Sequence, residues 1–130
     1  GPGDYENTLI MSNINKMLTN DECNMTSCTQ MWDYLYIDDA ISGIIKLCYE
    51  ECEDGAYNFG SGDCRPLKEF VDEMKRVLQS KSELNFGAVP YTAAGVVNIQ
   101  PNIDRLKNTG WKPKVSFSQG IENIVKALGK

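Results

Sequence analysis

The apolar positions along this chain change period from one segment to the next, and those changes mark its elements. Leu9, Ile10, Ile14, Met17 and Leu18 form a stripe at helical spacing, which predicts a helix over 6–18 with Asp4 as its cap. Residues 19–28 are polar and predict a loop. From Gln30 to Asp39 the period drops to two, with Trp32, Tyr34 and Tyr36 on one face and Leu35 and Ile37 on the other. Two large apolar faces predict a strand over 30–37 covered on both sides. Asp38 or Asp39 is placed to cap a helix over 40–52, with Ile41, Ile44, Ile45, Cys48 and Cys52 on its buried face. Ala56 to Phe59 reads as a short strand, stopped by Gly60-Ser61-Gly62. Pro66 opens a helix at its first turn, and Leu67, Phe70, Val71, Met74, Val77 and Leu78 supply the apolar face. Residues 84–86 suggest a short strand, 87–101 an irregular segment and 103–107 one or two helical turns. Trp111-Lys112-Pro113 is extended, because the residue before proline avoids the helix. Ser116 or Ser118 caps a final helix through Leu128, with Ile121, Ile124, Val125 and Leu128 inward. Helix and strand alternate, which is the order of an α/β fold in one domain over 1–130.

Composition narrows the partners. Hydrophobic residues make up 42% and charged residues 24%, as in a globular chain. The net charge is −5 with no basic stripe, which argues against nucleic acid and anionic membrane as partners. No apolar stretch nears the roughly 20 residues a bilayer span needs. There is no charged-then-apolar start of the secretory kind, so a cytoplasmic location is expected. Five cysteines at 23, 28, 48, 52 and 64 include no Cys-x-x-Cys, and there is no histidine. That pattern predicts reduced, mostly buried thiols and no metal set. Without histidine, neither a Ser-His-Asp nor a Cys-His nucleophile is possible.

Four segments carry a resemblance. The chain opens on Gly1-Pro2-Gly3-Asp4, followed by Asn7-Thr8-Leu9-Ile10. The run Gln30-Met31-Trp32-Asp33-Tyr34-Leu35-Tyr36-Ile37-Asp38-Asp39 comes next, then Tyr57-Asn58-Phe59-Gly60-Ser61-Gly62. Gly110-Trp111-Lys112-Pro113 with Gly120-Ile121 closes the set. In this order and spacing they resemble the C-terminal part of the extended short-chain dehydrogenase/reductases, the NAD-dependent sugar-nucleotide epimerases and dehydratases. The resemblance implies a small mixed α-β substrate-binding domain. It would carry the last strands and helices of a Rossmann-type epimerase fold, truncated at the N-terminus. It also implies substrate contacts. Asn7 would bond phosphate oxygens, Thr26 and Gln30 would flank the nucleotide, and Trp32 and Tyr91 would stack on base or sugar. Pro2 would lie near the nicotinamide of an NAD or NADP cofactor in the intact enzyme.

The family's chemistry needs a Tyr-x-x-x-Lys pair, whose lysine lowers the tyrosine pKa while hydride passes to NAD(P). No tyrosine here has lysine four residues on, and the Gly-x-x-Gly-x-x-Gly cofactor loop is missing from the sequence. No catalytic residue and no cofactor are therefore expected in this chain alone. Gly60-Ser61-Gly62 invites a phosphate-cradle reading but lacks a third glycine, since position 65 is arginine. A tight turn is the favoured reading. Many family dehydratases carry arginine at the position of Trp32, and a second arginine after the Pro-Tyr that is Pro90-Tyr91 here. Trp32 and Thr92 cannot clamp a phosphate, which leaves Arg65, Lys68 and Arg105 as substitutes. Two functions stay open: the nucleotide-sugar-binding portion of an enzyme whose Rossmann half lies elsewhere, and a non-catalytic, self-associating interaction module, such as a homodimer.

Overall fold

A computed structural model describes residues 1–93 and 95–130. Five helices and four three-residue strands follow one another among the described residues: α1 (Leu9–Thr19), β1 (Cys23–Met25), β2 (Met31–Asp33), α2 (Ile37–Tyr49), β3 (Cys64–Pro66), α3 (Leu67–Val77), β4 (Leu84–Phe86), α4 (Asp104–Asn108) and α5 (Phe117–Ala127). β1 pairs in parallel with β4, Cys23 opposite Leu84, and β2 pairs antiparallel with β3, Trp32 opposite Arg65. The expected mixed α-β architecture is what the chain adopts.

The core lies between three helices and the β1–β4 ribbon. Ile10, Ile14 and Met17 from α1 meet Phe70, Val71 and Met74 from α3, Ile121 and Ile124 from α5, and Cys23 and Met25 from β1. Each such side chain contributes roughly 1.5–3 kcal/mol by leaving water. The caps are local. Thr8 Oγ1 accepts from the Met11 amide at 3.3 Å, and Ser116 Oγ from the Gln119 amide at 3.2 Å. Thr8 takes the place expected of Asp4, whose carboxylate instead accepts from the Thr8 hydroxyl at 3.1 Å.

Several segments depart from their sequence reading. Residues 19–28 contain β1, because Cys23 and Met25 turn into the core while Asn24 points out. The 30–37 strand shrinks to 31–33, since Gly60-Ser61-Gly62 and the 98–99 segment, not a long neighbouring strand, flank it. Ala56 to Phe59 forms no strand, and Cys64–Pro66 does. Pro66 precedes α3 rather than occupying its first turn. The last helix ends at Ala127, leaving Leu128 as its exposed C-cap. Only Cys23 and Cys28 of the five free cysteines are buried, so the thiols are not mostly buried. Burial pushes both of these thiols up from their ordinary pKa.

The largest departure is α2. It starts at Ile37, so Asp38 and Asp39 sit in its first turn and neither caps it. Its buried residues are Asp39 and Gly43, whereas Ile41, Ile44 and Ile45 are 46, 53 and 52% exposed and Cys48 is exposed. The isoleucine stripe expected to face inward faces out. The reason is on the opposite side of the helix. Asp39 accepts from the Lys114 amide at 3.0 Å and the Val115 amide at 2.9 Å. Ser42 Oγ accepts from the indole N–H of Trp111 at 3.0 Å. A Cβ on Gly43 would fall 2.6 Å from Phe59 Cε1 and 3.2 Å from Trp111 Nε1, so only glycine lets the rings this close. Trp111 plugs the space under α2, 4% exposed and edge-on to Phe59.

Replacing Asp39 with alanine strands two backbone N–H groups in the interior and should cost about 2–4 kcal/mol. A urea melt of Asp39→Ala checks this, and a loss under about 0.5 kcal/mol would remove Asp39 as the anchor of α2.

Candidate functional site

β2 and the segment before it carry most of the expected ligand residues. Gln30 precedes β2 and Trp32 is its middle residue. Its edge is covered by the return of the 87–101 loop. The Met31 amide donates to Asn98 Oδ1 at 2.8 Å, and the Ile99 amide donates to the Met31 carbonyl at 2.8 Å. The near leg of the loop docks through Tyr91. Its hydroxyl receives the Thr29 amide at 3.2 Å, lies 3.3 Å from the Thr29 hydroxyl and donates to Gln30 Oε1 at 3.0 Å. The Thr29 hydroxyl, and then its amide, hold the Tyr91 phenol below its ordinary pKa, and Thr26 adds to the effect. Gln30 and Tyr91 thus form one cluster, joined by Thr29, which the sequence reading missed, whereas Thr26 accepts from the Cys28 amide at 3.4 Å. The only signal for Thr29 was its place between two candidates.

Asn7 and Pro2 do not join this cluster. Both lie on the exposed N-terminal segment, where Asn7 Nδ2 donates to the Tyr5 hydroxyl at 3.0 Å. Trp32 is half-buried and packs against the core, with its ring 6.3 Å from Tyr34. Tyr34, also half-buried, packs against Phe70 and Phe117, and burial pushes its phenol up.

The glycine turn is decided by one side chain. Asp33 accepts from the Ser61 amide and hydroxyl, both at 2.7 Å, and from the Gly62 amide at 2.9 Å. The donors that a phosphate would use are already satisfied by a carboxylate of the chain itself. The turn does not fit a dinucleotide pyrophosphate. A Cβ at Gly60 would fall 2.6 Å from Pro101, and Gly62 has φ +83°, which explains both glycines structurally.

Two of the three substitute cations are committed elsewhere. Arg65 pairs with Glu73 at 2.7 Å and with Asp63, and lies 4.2 Å over the Phe70 ring. Its Nε approaches Asp63 Oδ1 to 2.9 Å without hydrogen-bond alignment. Arg105 donates to the Asp54 and Ala56 carbonyls and covers Tyr57. Lys68 lies 4.8 Å over the Phe86 ring and pairs with no carboxylate among the described residues. It stays beside the cluster, because its amide donates to the Cys28 carbonyl. Two cavities, of about 200 and 580 Å³, flank Tyr34 and Phe117; of the candidate residues only Arg65 lines one, the larger, where it is paired with Glu73 and Asp63. Among the described residues no group of side chains could hold a metal ion, and no helix is long and apolar enough to cross a membrane.

Known proteins share both this sequence and this fold. No family model matches the chain. CDP-abequose synthase of Salmonella muenchen is 29% identical over 127 residues, covering 96% of this chain and 43% of that protein. The dTDP-4-dehydro-6-deoxyglucose reductase of Escherichia coli is 31% identical over 98 residues, 74% of this chain and 30% of that one. The UDP-glucose 4-epimerase of Thermotoga maritima, solved with UDP-glucose, superposes with TM-score 0.85 at 20% identity, covering 99% of this chain and 42% of that one. This chain belongs to the extended short-chain dehydrogenase/reductase family. It spans less than half the length of these relatives and corresponds to their C-terminal part. RMD from Pseudomonas aeruginosa, complexed with NADPH, superposes with TM-score 0.81 at 22% identity over 98% of this chain and 44% of that one. Members of this family thus bind NAD or NADPH in their complete form.

Two outcomes follow from these side chains. Burial raises the Glu73 carboxyl, but the Ser118 hydroxyl and Arg65 outweigh it and hold its pKa below the usual value. A depressed folded pKa stabilises the protein above the unfolded value of about 4.3, and that stability is lost as pH falls through the lower folded value. Glu73→Gln should therefore flatten the acid limb of a stability-versus-pH curve below about pH 4.5. An unchanged limb would contradict the ion pair. Trp32→Ala should cost about 1–3 kcal/mol in a denaturant melt, less than the roughly 3–5 of a fully buried tryptophan.

Proposed function

We propose that residues 1–130 are the nucleotide-sugar-binding portion of an NAD(P)-dependent epimerase, dehydratase or reductase. The observation that carries this reading is the hydrogen-bonded convergence of Gln30 and Tyr91 next to Trp32, three of the positions the family resemblance marks for substrate. The relatives named for CDP- and dTDP-sugars, and the neighbour solved with UDP-glucose, support a nucleotide sugar as ligand. In this reading Trp32 and Lys68 border the ligand, one by its ring and the other by its charge. Asn7 and Pro2 keep their assigned roles, toward the phosphates and the nicotinamide, only alongside a cofactor-binding half. The NAD(P) chemistry belongs to that half. Here the glycine turn is filled by Asp33, and the sequence has no Tyr-x-x-x-Lys. Five free cysteines suit a reducing, cytoplasmic setting.

The partner follows from α2. Its outward isoleucines are a contiguous apolar face of the kind that marks an interface. A Cβ on Gly1 would fall 2.5 Å from Ile37 Cγ2, so Gly1 lies against one end of this face. The cofactor-binding half is the partner of choice. The same face supports the second reading, a self-associating module that forms a homodimer.

Calorimetry with NAD+ and NADH should give no tight binding. A low-micromolar dissociation constant, worth about 8 kcal/mol, would sink the assignment to the sugar side. Titration with CDP-, dTDP- and UDP-linked sugars, followed by Trp fluorescence, should give a weak response that Trp32→Ala removes. No response to any of them would defeat the reading. In sedimentation at rising concentration the chain should self-associate weakly and Ile44→Lys should return it to monomer. A well-defined tight dimer with no nucleotide response would favour the module.

A further inference from the structure

The contacts of Tyr91 bear on Gln30 more than on any stacked ring. The Tyr91 oxygen already receives the Thr29 amide, so its own hydrogen needs an acceptor, and Gln30 Oε1 is 3.0 Å away. A carboxamide has one acceptor end and one donor end. With the acceptor end held by the phenol, the two N–H groups of Gln30 turn the other way. Among the described residues they make no hydrogen bond, and they are not buried without a partner. Gln30 is fixed at both ends of its reach, because its carbonyl also accepts from the Leu67 amide at 2.8 Å, at the start of α3. Its backbone is pinned, its side-chain oxygen is spent, and a pair of donors is left over.

We propose that Tyr91 is a positioning residue: it holds the Gln30 carboxamide with its NH2 presented to the ligand, to donate to an acceptor-only oxygen. This rests on the nucleotide-sugar reading and deepens it. The shared ligand chemistry is an oxygen with no hydrogen of its own, supplied by a diphosphate or by the carbonyl of a pyrimidine base. The stacking role assigned to Tyr91 from the family resemblance gives way to a hydroxyl role, in which the ring serves as a rigid arm.

Tyr91→Phe removes only the oxygen and keeps the ring. In the full chain, labelled with ¹⁵N, it should move the Gln30 side-chain NH2 resonances and weaken CDP or UDP binding roughly three- to tenfold, the worth of one oriented hydrogen bond. A stacking residue would show neither change. Gln30→Glu replaces the donors with an anionic acceptor of the same shape and should weaken CDP at least as much. It serves as the second test if Tyr91→Phe folds poorly. Inorganic pyrophosphate and the nucleoside cytidine, titrated separately, assign the oxygen. Loss of the pyrophosphate response places it on phosphate, and loss of the cytidine response places it on the base. If the parent chain binds CDP and both variants bind it within a factor of about 1.5, the positioning role is overturned while the nucleotide-sugar reading stands. If the parent chain binds neither CDP nor UDP, both fall together.

Discussion

The capture of two backbone amides by the Asp39 carboxylate is the interaction on which the arrangement of this chain depends. Asp39 is 3% exposed in the first turn of α2 and accepts from Lys114 and Val115. Those residues lead directly into the Ser116 cap of α5, which packs on α3 at the centre of the core. A buried carboxylate of this kind costs several kcal/mol to desolvate unless strong donors meet it. Having met them, it fixes which side of α2 faces the protein. Ser42 and Gly43 lie on that side too, and together they accept Trp111. The apolar stripe at Ile37, Ile41, Ile44 and Ile45 has no room inward and is turned to the surface.

A second carboxylate sets the chemistry of the neighbouring turn. Asp33 sits where β2 ends and satisfies the amides of Ser61 and Gly62, as a bound anion would in a cofactor loop. It ties β2 to the glycine turn just before β3 and gives the site its rigid floor. The same bond closes that turn to a pyrophosphate. Gln30, Thr29 and Tyr91 meet at the other end of β2, where we place the ligand. There the 87–101 loop is strapped at both legs, by Tyr91 on one side and by Asn98 and Ile99 on the other. A weak cation balance accompanies this. Arg65 and Arg105 serve the fold, and Lys68 alone of the three stays beside the cluster.

The amphipathic helices α1, α3 and α5 were legible because each buries its stripe against the others, so period and burial agree. The Ser116 cap, the extended Trp111-Lys112-Pro113 segment and the structural reading of Gly60-Ser61-Gly62 are equally local, whereas Thr8 caps α1 where Asp4 was expected to. The family was legible too, since four short motifs in fixed order need no knowledge of contacts. Of the candidate site, Gln30 and Tyr91 were named from sequence and the fold brings them together, while Asn7 and Pro2 stay apart from them.

The rest needed the tertiary structure, for one physical reason. A stripe of isoleucines states that a surface is apolar but not what covers it, and the side α2 turns inward was chosen by Asp39 and Gly43, two residues that look like a cap and a spacer in one dimension. A three-residue strand such as β1 or β3 has too few positions to show a period, and exists because a partner some 60 or 30 residues away completes its hydrogen bonds. The tyrosine at 91 was visible as an aromatic beside proline. That its hydroxyl spends itself on Thr29 and Gln30 depends on a loop folding back across more than sixty residues, which only the closed chain decides.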